Sequence, residues 1–264
     1  MSVASTNCSP VLWDRVVCAV DGTVASLNAA RQVAALMPSA AQLMLCVVVA
    51  RARAQTRGMS KQGLVSEAEE ALARVRGEIA TVHDAGVHLR EGAPARVLLH
   101  ECSAERATLV AIGSQGGSNG GSAIISVSAA VLKGALCSVL IAHETDRAGA
   151  PGEGGIVVGF DGSEGAISAL SAGYELSERL SRPLRAVFAT GDGDRLDPGS
   201  SDQGVASQVT LSEDRRTALE ALLDASDSAD LLILGSRQHR GAPVLSRVSQ
   251  SVTERASCPV LLVR

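Results

Sequence analysis

Residues able to bind a phosphate group are concentrated in two short segments of the first half of the chain. Asp21 and Gly22 follow an apolar run, and a loop rich in glycine and serine covers 113–122. Glycine lets the backbone approach a phosphate closely, and the start of the helix predicted after this loop offers N–H donors. Ser126 and Ser128 add hydroxyl groups near that start. The pattern is compatible with a phosphate site, but as a lone motif it is weak, because glycine-rich loops before helices are often only turns.

Groups suited to covalent or acid–base catalysis lack the spacing that catalysis requires. The five histidines are scattered along the chain. The only lysines are Lys61 and Lys133, so the lysine of a Walker-type phosphate loop is missing. The sequence therefore predicts a protein that is not an enzyme.

Composition argues against two further classes of protein. Only 2% of the residues are aromatic, whereas proteins that bind single-stranded nucleic acid usually stack its bases on aromatic side chains. The net charge is −4, so the chain lacks the positive charge that neutralises nucleic-acid phosphates. No apolar run approaches the roughly 20 residues that cross a bilayer. The six cysteines form no Cys-x-x-Cys pair, which favours reduced thiols in a cytoplasmic protein without a metal centre. We expect neither a nucleic-acid partner nor a membrane.

The chain repeats itself along its length. The matched segments are 16–23 with 156–163, 109–116 with 231–238, and 135–141 with 256–262. Three anchors in the same order indicate two copies of one domain. We predict domain 1 over residues 1–147 and domain 2 over residues 148–264, joined by a linker at 145–155 that is rich in glycine, proline and charge.

Short apolar runs alternate with helical patterns in the first copy. Strands are predicted at 16–20, 43–49, 87–90, 109–112 and 139–142, and helices at 26–37, 66–80, 94–104 and 126–135. Ser66 and Glu69 have capping-box spacing at the start of the second helix. Strands separated by helices imply right-handed crossovers and a parallel sheet. The predicted fold class is α/β, with two tandem doubly wound parallel-sheet domains of five strands each.

The second copy is shorter between its first and fourth strands. The segment 191–204 has no helical period and stands where the first copy has the helix at 66–80. We expect that domain 2 lacks this crossover helix and has a polar loop instead. The segment 212–215 is aligned with Gly92-Ala93-Pro94-Ala95 of the first copy.

Ordered motifs in both copies give the chain a family resemblance. They are Val-Asp-Gly-Thr at 20–23 and Phe-Asp-Gly-Ser at 160–163, Gly-Ala-Pro-Ala at 92–95, Gly-Ser-Gln-Gly at 113–116, Ser-Val-Ser at 126–128, and the closing segments 137–141 and 258–263. With these motifs the chain resembles a tandem universal stress protein of the actinobacterial type. The resemblance implies an adenine nucleotide alpha hydrolase-like fold whose domains pair through their fifth strands.

The resemblance also implies an ATP site, because many members bind ATP through three spaced glycines followed by serine or threonine. The residues it assigns to such a site in domain 1 are Asp21, Val47, Gly113, Ser114, Gly116, Ser126 and Ser128. Ile125 stands where the third glycine belongs, and its branched side chain resists the backbone angles that glycine permits. In domain 2, Gln238 replaces the second glycine, while Ser246 and Arg247 replace the closing pair. We expect ATP in domain 1 and no nucleotide in domain 2.

Asp21 and Asp161 also have a structural interpretation, in which each carboxylate caps the following helix. The leading hypothesis is a cytoplasmic, non-enzymatic stress-response protein with a degenerate adenine-nucleotide site, folded as an intramolecular pseudo-dimer that could pair further into a homodimer. The alternative is a nucleotide-free scaffold that signals through protein partners or dimerisation. An adenine-nucleotide hydrolase or a flavoprotein is a third hypothesis, supported by fold analogy alone.

Overall fold

The computed structural model describes residues 12–50, 60–80, 83–114, 124–143, 154–191, 210–239 and 242–264. Within them the strands are β1 (Arg15–Val20), β2 (Gln42–Val49), β3 (Ala85–Glu91), β4 (Leu109–Ser114), β5 (Ser138–His143), β6 (Ile156–Gly159), β7 (Leu184–Ala189), β8 (Thr210–Asp214), β9 (Leu231–Gly235), β10 (Arg237–His239), β11 (Ala242–Val244) and β12 (Val260–Val263). The helices are α1 (Val24–Leu36), α2 (Lys61–Ile79), α3 (Pro94–Ala104), α4 (Ile124–Gly134), α5 (Glu164–Leu180), α6 (Ala218–Ser226) and α7 (Arg247–Arg255).

Ten strands form one continuous sheet in the order β3-β2-β1-β4-β5-β12-β9-β6-β7-β8. Neighbours within each half run parallel, whereas β5 and β12 pair antiparallel at the centre. Each half therefore has the same five-strand order, and the two halves join through their last strands. This arrangement confirms the predicted fold class and the pairing that the resemblance implied. The strands β10 and β11 form a separate two-stranded ribbon.

The apolar core lies in two layers, one on each face of this sheet. One layer packs alternate strand residues against α1, α2 and α5, and the other packs the remaining strand residues against α3, α4, α6 and α7. Every residue of β5 and of β12 is buried. Because these strands are covered on both faces, their sequences are continuous apolar runs rather than alternating ones.

Helix α2 begins earlier than the sequence predicts. Its N-cap is Ser60, whose side chain accepts a hydrogen bond from the backbone N–H of Gly63 at 3.1 Å. Ser66 and Glu69 lie inside the helix, so the predicted capping box at its start is wrong. The first turn contains Gly63, a weak helix former, and for this reason the local pattern concealed the true start.

Reciprocal side-chain contacts connect the two halves in addition to the central strand pair. His143, the last residue of β5, has its side chain hydrogen-bonded to the backbone of Thr253 in α7. Arg264, which follows β12, donates to the carbonyls of Leu132 and Ala135 at the end of α4. Each half thus reaches the closing helix of the other, as expected for two domains related by a pseudo-twofold axis.

A further contact between the halves involves Arg179 of α5. Its guanidinium lies 5.8 Å from the centre of the Trp13 ring and donates to the carbonyl of Leu36 at the end of α1. Trp13 is fully buried, so this cation–π contact is shielded from water.

Several expectations fall on segments that the structure does not describe. These are the polar loop at 191–204 except for residue 191, most of the linker at 145–155, and the domain boundary between 147 and 148. The placement of 212–215 against Gly-Ala-Pro-Ala is corrected, because residues 212–214 belong to strand β8 and pair with β7. Among the described residues, none of the helices combines the length and the apolar character that a membrane span requires.

Candidate functional site

The turn after β1 is organised by Asp21. Its Oδ1 atom accepts hydrogen bonds from the backbone N–H of Thr23 at 3.1 Å and from the Thr23 hydroxyl at 2.6 Å. Gly22 has a φ of +82°, a backbone conformation that is strained for a residue with a side chain. Thr23 is the true N-cap of α1 and accepts from the N–H of Ser26. Asp21 therefore orients the capping residue instead of capping the helix itself, which corrects the predicted role.

The second half repeats this turn atom for atom. Oδ1 of Asp161 accepts from the N–H of Ser163 at 3.1 Å and from its hydroxyl at 2.6 Å, and Gly162 has a φ of +77°. Ser163 in turn caps α5 by accepting from the N–H of Ala166. This turn serves folding in both halves.

Gly113, the first glycine of the predicted phosphate loop, is required by packing. A Cβ atom built there would lie 2.4 Å from the backbone carbonyl carbon of Ala25 in α1. Gly235 has the same position in the second half, where a Cβ would lie 2.1 Å from the carbonyl carbon of Gly165. Both glycines allow the strand end to contact the N-terminal turn of a helix.

The strand order brings several predicted site residues to one edge of the sheet. Asp21 follows β1, Val47 pairs with Val20 near the end of β2, and Gly113 and Ser114 close β4. The chain leaves β1 toward β2 on one side and reaches β4 on the other, which is the topological switch point where α/β sheets bind ligands.

The remaining predicted residues are placed less completely. Ser128 lies on α4 and is half-buried. Ser126 is part of the same helix, but its side chain lies outside the described atoms, as does the whole of Gly116. Ile125 is the second residue of α4 and is therefore helical, so the predicted conflict with a positive φ does not arise.

The equivalent position in the second half holds an open cavity of about 250 Å³. Its lining includes Phe160 and Asp161 after β6, Phe188 of β7, and Ser246 and Arg247 at the start of α7. This opening was not expected from the sequence, because the loop of the second half lacks the glycines of the family pattern. The one available signal was the Ser-Arg pair at a predicted helix start.

The chain's two phenylalanines lie side by side at this cavity. The register of β6 with β7 places Phe160 beside Phe188, and the N–H of Phe160 donates to the carbonyl of Val187. The corresponding pair in the first half is Val20 and Val47, which are 2% and 3% exposed. Side chains of different volume therefore occupy the same position in the two halves.

The hydroxyl group of Ser246, at the start of α7, forms its hydrogen bonds within its own helix. The Ser246 hydroxyl accepts from the N–H of Ser249 at 3.0 Å and lies 2.9 Å from its hydroxyl. Arg247 follows the cap and is exposed. This end of the cavity consequently offers a guanidinium rather than hydroxyl donors.

A separate ionic cluster fixes the edge strand β3 to α3. The Glu101 side chain is 5% exposed and accepts hydrogen bonds from Arg90 Nε at 2.8 Å and His88 Nδ1 at 2.5 Å. Burial raises the pKa of the Glu101 carboxyl, but the hydrogen bonds from Arg90 and His88 outweigh it and hold the pKa below its usual value. Glu105 also approaches His88, at 3.9 Å, so these groups have the spacing of metal ligands. Because both Glu101 oxygens are hydrogen-bonded, the cluster is explained as a structural tie.

At the corresponding edge of the second half, the charged side chains lie on the surface. Arg216 donates to Asp214 at 2.7 Å and to Asp224 at 3.0 Å, and hydrogen bonds from Arg216 lower the pKa of Asp214 to about 2. Thr217 then caps α6 through a capping box with Glu220. This cluster occupies the segment that corresponds to Gly92 and Ala93 of the first half.

Comparison with known proteins agrees with this architecture. The family model described as "Universal stress protein family" matches residues 13–143 and 192–264. The chain belongs to the universal stress protein family, and the two matched segments show its tandem organisation. No protein with curated annotation matches the sequence significantly.

Two solved structures are similar over nearly the whole chain. A universal stress protein from Archaeoglobus fulgidus superposes with a TM-score of 0.75 at 20% identity, covering 96% of this chain and 98% of the other. A protein of unknown function from Pseudomonas aeruginosa superposes with a TM-score of 0.61 at 14% identity, covering 95% and 92%. At these identities the likeness establishes the fold.

Proposed function

We propose that this universal stress protein is a non-enzymatic, cytoplasmic stress-response protein that binds one adenine nucleotide, ATP, in its first half. The observation that carries the proposal is the shared geometry of the two strand edges. The first half has the switch point, the Asp-Gly turn and the serine-bearing helix, and the equivalent edge of the second half is open to a cavity of about 250 Å³. The resemblance to family members that bind ATP supports the same assignment.

The site would use the groups that folding leaves unoccupied. Among the described residues, Thr23 donates both of its hydrogen bonds to Oδ1 of Asp21, which leaves Oδ2 to accept from a ribose hydroxyl. Val47 would supply an apolar wall at the end of β2, and Ser114 a polar group at the end of β4. Ser126, Ser128 and Gly116 would hold phosphates at the start of α4, where backbone N–H groups and the helix dipole favour anions.

The second half is proposed to remain without nucleotide. Phe160 and Phe188 are larger than Val20 and Val47, which occupy the corresponding positions in the first half. The Ser246 hydroxyl is occupied by the cap of α7 and by Ser249. Domain 2, which we place at 148–264 after domain 1 at 1–147, would chiefly complete the central sheet.

Equilibrium dialysis with radiolabelled ATP tests this proposal. We expect about one nucleotide per chain at saturation. Ser128→Ala should weaken binding several-fold because it removes a donor that is worth about 1 kcal/mol. The matched change Ser249→Ala in the second half should leave the affinity unchanged, and both proteins should melt as the parent does.

Two outcomes would reject the site assignment. Equal weakening by Ser249→Ala would move the nucleotide to the second half or to both halves. The absence of retained ATP at millimolar concentration would favour the nucleotide-free scaffold, which would act through protein partners. Release of inorganic phosphate from bound ATP, measured in the same samples, would contradict the non-enzymatic part alone.

A further inference from the structure

A second cavity, of about 680 Å³, opens between the two halves. It lies at the opposite end of the first-half strands from the candidate nucleotide site. Thr108 and Ser138, which stand at the amino ends of β4 and β5, line it together with Ser171 of α5 and Arg264 after β12. The cavity is therefore an inter-half groove, and nothing in the proposed nucleotide site uses it.

Two cysteines face each other in this inter-half groove. Cys102 comes from α3, is 7% exposed, and lines the groove together with Cys137, which immediately precedes β5. Cys137 is half-buried, and a hydrogen bond joins the two thiols. The other cysteines of the described residues are buried and do not line the groove: Cys18, Cys46 and Cys258.

The surroundings of the two thiols make Cys137 the easier one to ionise. The hydrogen bond from Cys102 lowers the pKa of the Cys137 thiol, and the nearby Arg264 guanidinium acts in the same direction. The same hydrogen bond and burial raise the pKa of Cys102. Burial raises the pKa of Cys18 and of Cys46 to about 12, so those thiols stay protonated at neutral pH.

In the second half only one of the two corresponding positions holds a cysteine, because Cys258 corresponds to Cys137 and a serine replaces Cys102. Cys102 and Ser226 occupy the same position in equivalent helices, counted from the first residues of α3 and α6. The Ser226 hydroxyl lies 3.1 Å from that of Ser257, which donates to Asp227 at 2.6 Å. Hydroxyl groups are better hydrogen-bonding partners than thiols. The second half thus holds this position with a hydrogen-bonded serine, whereas the first half places a second thiol beside Cys137.

We propose that Cys102 and Cys137 form a dithiol site that reacts with hydroperoxides, with Cys137 as the attacking thiol and Cys102 as the resolving thiol. The Cys137 thiolate attacks the peroxide O–O bond and becomes a sulfenic acid, while the other oxygen leaves as water or an alcohol after protonation. Cys102 then attacks the sulfenic sulfur, an S–S bond forms, and water departs. In total, two thiols and one hydroperoxide yield one disulfide, one alcohol or water, and one further water.

Peptide mass spectrometry after limited hydrogen peroxide tests the dithiol site. The full chain carries Cys8→Ala in every sample, because Cys8 lies outside the described residues. After stoichiometric peroxide and alkylation of remaining thiols, we expect a Cys102–Cys137 disulfide that dithiothreitol reverses. Before oxidation, Cys137 should react with iodoacetamide at least about tenfold faster than the other cysteines.

Matched variants separate the roles of the two sulfurs. Cys102→Ser reproduces the serine of the second half and should stop the reaction at a Cys137 sulfenic acid that dimedone traps. Cys102→Ala should do the same if the serine variant folds poorly, and Cys46→Ala should still form the disulfide. Oxidation of Cys137 without any disulfide in the parent protein, a disulfide that joins two chains, or equal alkylation rates for all cysteines would each overturn the proposal.

Discussion

The two halves of the molecule agree closely in their turns and differ in the residues around them. Asp21 and Asp161 make the same hydrogen bonds, and Gly113 and Gly235 allow the same close helix contact. By contrast, Val47 of the first half corresponds to Phe188 of the second. The shared residues build the strand-to-helix turns, so a difference in ligand binding between the halves must come from the residues that differ.

The central interface shows the same contrast between framework and side chain. His143 reaches Thr253 in one direction, and Arg264 reaches Leu132 in the other. The positions correspond, yet one is occupied by an ionisable imidazole and the other by a guanidinium that is always charged. Only the side of the interface with His143 is thus expected to respond to mild acid.

The largest effect should come from the residues that the halves share at the centre. Leu140 of β5 pairs with Leu261 of β12, and both are fully buried. Leu140→Ala and Leu261→Ala should each lower the free energy of unfolding by about 2–5 kcal/mol in urea titrations. Leu136→Ala, at a residue that is 82% exposed, is the control and should change little. Strongly unequal losses for the two buried leucines would contradict an equivalent interface.

His143 should make the interface sensitive to mild acid. Burial lowers the pKa of His143 from 6.5 to about 4, so the unfolded chain binds this proton first as the pH falls. Stability contributed by the neutral imidazole is present above pH 6.5 and is lost between pH 6.5 and 4, by up to about 3 kcal/mol. Denaturation at a series of pH values measures this slope.

Replacement of the imidazole provides the control for that slope. His143→Leu should flatten the pH dependence between 6.5 and 4, whereas His100→Leu, at a side chain that is 78% exposed, should leave it as in the parent. A parent slope that persists in His143→Leu would show that other groups cause it.

The sheet edges should differ in their sensitivity to charge removal. Glu101→Gln should lower the free energy of unfolding by about 1–3 kcal/mol, because Arg90 would lose a buried charged partner. Since the pKa of Glu101 is depressed, its contribution is present above the ordinary carboxyl pKa and is lost as the pH falls below it. Arg216→Ala on the exposed edge should leave the melting temperature unchanged, and a larger effect there than at Glu101 would reverse the comparison.

The smallest effect concerns the helix caps that the halves share. Thr23→Ala and Ser163→Ala each remove a side-chain acceptor at the start of a helix. Each change should lower the free energy of unfolding by about 1 kcal/mol, as measured by denaturant titration. A loss confined to one half would indicate that the two turns are not equivalent in energy.

The sequence predicted the parallel sheet and most element positions because buried parallel strands and their crossovers leave strong local patterns. It misplaced the start of α2, where Gly63 weakened the helical signal, and it assigned to Asp21 a cap that Thr23 provides. The pairs Phe160 with Phe188 and Cys102 with Cys137 were not predicted. Their members are far apart in the chain and meet only after the sheet has formed.

A crystal structure of the full chain, from crystals grown with ATP, shows directly which half binds the nucleotide. We expect one nucleotide per chain, with its ribose beside Asp21 and its phosphates at the start of α4, and no nucleotide beside Phe160 and Phe188. A nucleotide bound only in the second-half cavity, or crystals that contain none at saturating ATP, would contradict this expectation.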